Sequence, residues 1–88
     1  MRYDYKEFLK ALGQRVKKLR KERGLTHRAL MTEHGFHLTQ LQRIERGEGV
    51  SVPMLLRLAE TFGMPVEKLI AGLGVIADGE IHPKKTRE

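Results

Sequence analysis

Cysteine and tryptophan are both missing from this 88-residue chain. Without cysteine, neither a disulfide framework nor a zinc-thiolate site is available. Stability has to come from an apolar core. No apolar run approaches the roughly 18 residues of a membrane span. The stretch Met1-Arg2-Tyr3-Asp4 is polar and lacks the apolar segment of a secretory signal. These absences predict a soluble, cytoplasmic protein with no membrane partner. Catalytic equipment is also missing. There is no glycine-rich phosphate loop and no nucleophile–base arrangement, and the lone serine, Ser51, reads better as a helix cap. His27, His34 and His37 lack the i, i+4 spacing of a helical metal pair, and no cysteine or ordered carboxylate completes a site. The expectation is no enzyme, no cofactor and no metal.

Acidic residues are scarce in the first half only. Residues 1–47 carry 12 Lys/Arg against 5 Asp/Glu, whereas residues 48–88 carry 5 against 6. The whole excess behind the net charge of +6 therefore lies in the first half. Such asymmetry fits a polyanionic partner, either nucleic acid or an acidic membrane surface. It also fits a solvated basic helix that only aids solubility.

Sustained strand alternation and internal repeats are absent as well, and punctuation divides the chain into five helical segments. Asp4 with Glu7 forms a capping-box arrangement that opens the first segment, which runs to about Arg23 before Gly24. Phe8, Leu9, Leu12, Val16 and Leu19 mark its buried face, and Lys10, Gln14, Lys17, Lys18 and Lys21 fall opposite. Gly13 in mid-helix costs about 1 kcal/mol relative to Ala, which a close helix crossing would explain. Thr26 caps a second segment that ends at Gly35, with Leu30, Ala29 and Met31 as its core side. A third covers 38–46, with Leu41 and Ile44 inward. Ser51 caps a fourth, where Pro53 is tolerated in the first turn and Leu55, Leu56, Leu58, Ala59 and Phe62 form a broad apolar face. A fifth starts near Pro65 and carries Val66, Leu69 and Ile70. Beyond Gly74, an Asp-Gly pair between short apolar flanks reads either as a hairpin over 75–81 or as a flexible tail, and the basic stretch from His82 reads as disordered.

Residues 26–46 thus hold two short helices joined by a glycine-containing turn, the pattern of a helix–turn–helix. With Leu41 and Ile44 buried, Thr39, Gln42, Arg43 and Arg46 point the opposite way and Leu38 lies on the flank.

The chain resembles the Cro/CI, or XRE-type, helix–turn–helix family. The resemblance rests on Arg15-Val16-Lys17-Lys18-Leu19-Arg20 before Gly24-Leu25-Thr26, then Leu30, Gly35, Leu41 and Arg43-Ile44-Glu45-Arg46-Gly47. Leu58-Ala59-Glu60-Thr61-Phe62-Gly63-Met64-Pro65 and Leu69-Ile70 continue it, so that it covers about residues 9–72. It implies an all-α, five-helix repressor-like DNA-binding domain over 4–73 and a short C-terminal extension over 74–88.

The resemblance also implies roles. Leu38, Thr39, Gln42 and Arg43 are the expected base readers, with Arg43 suited to the O6 and N7 acceptors of guanine; the alternative for Arg43 is phosphate alone. His27, Arg46, Lys17 and Lys21 are the expected phosphate contacts. Arg20 and Glu45 match a structural salt bridge. His37 is a poor N-cap, and a capping pair of Thr39 and Gln42 would start the recognition helix two residues later. The expected function is a sequence-specific regulator of double-stranded DNA, a homodimeric repressor with Leu69, Leu73, Val75, Ile76 and Ile81 at its interface. The alternative is an antitoxin or adaptor that uses the same fold to hold a protein partner.

Overall fold

The computed structural model describes residues 3–74. All of their elements are helical: α1 (Tyr5–Glu22), α2 (His27–His34), α3 (Leu38–Glu45), α4 (Val52–Phe62) and α5 (Val66–Leu69). No helix among these residues is long and apolar enough to cross a membrane. Residues 75–81, read above as a hairpin or tail, and the basic stretch after them lie outside the described residues.

Three helices begin where a side chain satisfies an otherwise unpaired N–H group. Asp4 Oδ1 accepts from the Glu7 N–H at 3.1 Å, Thr26 Oγ1 from Ala29 at 3.0 Å, and Ser51 Oγ from Met54 at 3.3 Å. The start of α3 is different. His37 is its N-cap and makes no side-chain cap bond, yet Leu38 is already helical. The later start at Thr39 is not adopted. Packing of Leu41 and Ile44, both buried in the core, holds this helix where capping does not.

The core is one cluster. Leu12 and Val16 of α1 meet Leu30, Leu41, Ile44, Leu58, Phe62 and Leu69, with Phe36 added from the turn between α2 and α3. Each fully buried leucine contributes at most about 3 kcal/mol through apolar area removed from water.

Burial corrects three expectations. Leu56 is 50% exposed, and Met54 takes its place in the core. The buried row on α4 is Met54–Leu58–Phe62 at four-residue steps, and Leu56 lies two residues, or ~200°, away from it. Met31 is 38% exposed, because α2 is short and buries Leu30 alone. Leu69 and Leu73, expected at a dimer interface, are 0% and 6% exposed within the single chain. Their apolar surface is already covered by the chain's own core, so neither offers a free apolar side chain as expected.

Helix α1 packs most extensively on α3. The reason is Gly13. A Cβ there would run into the carbonyl oxygen of Ile44 and lie 2.9 Å from that of Glu45. Gly47, just past α3, makes a second close approach. Its φ of 79° suits glycine, and a Cβ would sit 3.0 Å from the Cα of Lys10. Two missing side chains therefore set the distance between α1 and the C-terminal end of α3.

Candidate nucleic-acid interface

With its inner side buried and its C-terminal end clamped, α3 shows one free face. Leu38, Thr39, Gln40, Gln42 and Arg43 are all exposed. Thr39, Gln42 and Arg43 share the side opposite Leu41 and Ile44, and Leu38 and Gln40 flank it on either edge. Arg43 folds its guanidinium toward Gly49, where a Cβ would sit 3.6 Å from Nη2. A cleft of about 300 Å³ opens there, between Gln40 and Arg43 and the loop carrying Val50 and Ser51. Gln40 was absent from the expected base readers. Its position ~100° from Leu41 marks it as a flanking residue, the same signal that singled out Leu38.

Behind this face, Arg20 of α1 holds Glu45 of α3. Arg20 Nε donates to Glu45 Oε2 at 2.7 Å and Nη2 to Oε1 at 3.2 Å, while Nη1 donates to the Leu25 carbonyl at 3.1 Å. The side chains are 11% and 8% exposed. This is a bidentate, largely dry pair that ties α1, the α1–α2 turn and α3 together. Burial alone would raise the Glu45 pKa. The Arg20 hydrogen bonds, with the His27 ring behind them, outweigh burial and hold it below its ordinary 4.5.

His27 belongs to this cluster. Its Nε2 lies 3.2 Å from Glu45 Oε1, buried and out of line for a hydrogen bond. The ring is therefore turned toward Glu45 at one nitrogen and remains about one-third exposed. Arg46 is exposed but not idle, since Nε donates to Glu48 Oε2 at 2.9 Å and Nη2 to Oε1 at 3.3 Å. Lys17 and Lys21 are exposed on α1. The structure brings Arg20, Glu45 and His27 into contact, and it leaves the α1 lysines apart as a separate solvent-facing stripe.

Three other arginines secure the frame. Arg15 donates to the Leu69 and Ala71 carbonyls at 3.1 and 3.0 Å, closing the end of α5. Arg23 donates to the Phe62 carbonyl at 3.1 Å and lies 5.5 Å over its ring. Arg57 donates to the His34 carbonyl at 2.8 Å and lies 4.5 Å over the ring of Phe36. The last contact covers the turn that sets α2 against α3.

A family model described as a helix-turn-helix domain matches residues 11–71. Among solved structures, the BldD DNA-binding domain of S. venezulae superposes with a TM-score of 0.66 at 29% identity, over 72% of this chain and 96% of that one. The restriction-modification controller protein C.AhdI from Aeromonas hydrophila gives 0.63 at 31% identity, over 69% and 94%. The competence regulator ComR from Streptococcus vestibularis gives 0.67 at 25% identity, over 74% of this chain but only 22% of that longer protein. No protein of curated function matches the chain in sequence.

Proposed function

This chain belongs to the helix-turn-helix domain family, of the Cro/CI type, and from that premise we propose that it is a sequence-specific double-stranded DNA-binding transcriptional regulator, acting as a homodimeric repressor. One observation carries the reading. The free face of α3 presents Thr39, Gln42 and Arg43, while its opposite face and C-terminal end are fixed to α1 by Gly13 and by Arg20–Glu45. A rigidly held helix with exposed polar side chains fits a major groove about 12 Å wide. The similar structures, a DNA-binding domain, a controller protein and a competence regulator, support the same class.

In this reading Arg43 takes a guanine edge through its planar fork, Gln42 an adenine, and the Thr39 methyl or Leu38 a thymine methyl. His27, Arg46, Lys17 and Lys21 meet phosphates and set the register. A second copy doubles the number of base pairs read, which a module of this size needs for useful specificity. With Leu69 and Leu73 in the core, the interface falls to Val75, Ile76 and Ile81 of the extension.

Selection of bound duplexes from a random pool tests the reading, followed by titration of the selected duplex with wild type and Arg43→Ala. The expected outcome is a two-fold symmetric motif, bound two chains to one duplex. Arg43→Ala should lose about 1–3 kcal/mol of discrimination at one position per half-site. No enrichment removes sequence reading. An asymmetric motif bound one-to-one removes the homodimer.

A further inference from the structure

The loop after α3 places an acidic side chain among the cations of the proposed reading surface. Glu48 holds Arg46 through both carboxylate oxygens at 2.9 and 3.3 Å, although the two residues are separated by Gly47 alone. The turn fixes it there, because the Glu48 N–H donates to the Arg43 carbonyl at 2.8 Å. The Arg46 hydrogen bonds, with the charges of Arg46 and Arg43 behind them, hold the Glu48 carboxyl below the usual carboxylate range, so it is fully charged near neutral pH. Fold stability does not account for this placement. An acidic group just past a helix C-terminus opposes the helix dipole, and exposed ion pairs contribute little.

We propose that Glu48 is an internal competitor for DNA phosphate, clasping Arg46 in the free protein and releasing it when the duplex binds. The inference rests on the DNA-binding reading above. A bidentate carboxylate uses two of the guanidinium's donors in the same fork geometry that a phosphate uses. A phosphodiester arriving at Arg46 therefore meets a like charge within a few ångströms, and exchange is favoured over sharing. The clasp lowers affinity for every sequence equally, because phosphate contacts carry no base information. It sets the level of binding and leaves the ratio between sequences to the base contacts.

The test titrates the full chain, its Glu48→Gln and Arg46→Ala variants and the double variant against a selected duplex and a scrambled duplex of equal length, over a range of salt. Both substituted side chains are exposed, and circular dichroism checks that the helices are unchanged. Glu48→Gln should tighten both duplexes about three- to ten-fold near 0.1 M salt and leave the log–log salt slope nearly unchanged, because Arg46 replaces the same counterion on the duplex in both proteins. In the Arg46→Ala background the gain should fall below about two-fold. Unchanged binding by Glu48→Gln overturns the clasp. So does an equal gain in the Arg46→Ala background, which would make Glu48 a bare repulsive charge. Binding by none of the four proteins removes the DNA reading itself and the clasp with it.

Discussion

The cations of this small domain divide into two populations. Arg15, Arg20, Arg23 and Arg57 turn onto acceptors of the protein itself, namely the carbonyls that end α5, α4 and α2 and the carboxylate of Glu45. Lys17, Lys21 and Arg43 face solvent, as does every other lysine among the described residues. The division follows from side-chain chemistry. A guanidinium presents five donors in a planar fork and is weakly hydrated, so it can satisfy several carbonyls from a half-buried position. An ammonium is a compact, strongly hydrated charge that is costly to bury. The charge asymmetry of the sequence therefore overstates what a polyanion can reach, since four of the first-half cations, Arg15, Arg20 and Arg23 in the frame and Arg46 on Glu48, already have partners in the protein.

Arg20→Ala tests the inward population most severely. It leaves Glu45 poorly solvated beside His27 alone, and stability should fall by about 3–5 kcal/mol in urea unfolding. The effect should depend on pH. In the wild type the Glu45 pKa is depressed below 4.5, so its contribution is present above that value and is lost as pH falls through the folded pKa. Without Arg20, burial pushes the same carboxyl upward, and that protein loses stability as pH rises. The deficit should accordingly be largest near pH 7 and narrow below pH 4.5. A loss under about 1 kcal/mol at neutral pH would place Arg20 with the surface cations and collapse the division.

Gly13→Ala strikes the same α1–α3 joint without touching a charge. The added methyl meets backbone carbonyl oxygens, not a flexible side chain, so the helices must move apart. Overpacking of this kind costs about 1–3 kcal/mol. Because the displaced element is α3, DNA affinity should fall further than residual folded protein explains. Affinity that simply tracks the folded fraction would show that the joint stabilises the domain without aiming its helix.

The parts of this architecture that were legible in the sequence share one property: they are local. Asp4, Thr26 and Ser51 announce helix starts because an N-cap acts within three residues. Leu12, Val16, Leu41 and Ile44 follow helical spacing. Gly13 stood out as a glycine in a helix interior, and a crossing was the expected cause. Arg20 and Glu45 were paired through family resemblance and not through any local pattern. What escaped is long-range. Arg15 caps carbonyls more than fifty residues away, and Arg57 covers a turn twenty-three residues upstream; no window along the chain contains both partners. Phe36 sits in a turn, outside any periodic stripe, and is buried because a hydrophobic residue after a helix-ending glycine folds back on the helix. On α4 the run 52–56 is apolar throughout, so composition could not separate the buried Met54 from the exposed Leu56. The short-range ion pair of Arg46 and Glu48 lies in a loop, where neither helical spacing nor a capping pattern marks which charges meet.

The gentlest test concerns the outward lysines, whose part in binding rests on position alone. Lys17→Ala and Lys21→Ala should leave stability within about 0.5 kcal/mol of wild type, because each side chain is exposed and has no hydrogen-bond or ion-pair partner among the described residues. Each should weaken binding to selected and scrambled duplexes alike. Each should also flatten the salt slope by about 0.9 if its ammonium replaces one counterion on the duplex. Arg15→Ala supplies the contrast: it should lower the unfolding midpoint by uncapping α5 while leaving the salt slope of the folded protein unchanged. A slope insensitive to both lysine substitutions would mean that the α1 stripe is merely solvated. The outward population that meets phosphate would then shrink to the side chains of α2, α3 and the loop that follows it, and the basic first helix would owe its charge to solubility.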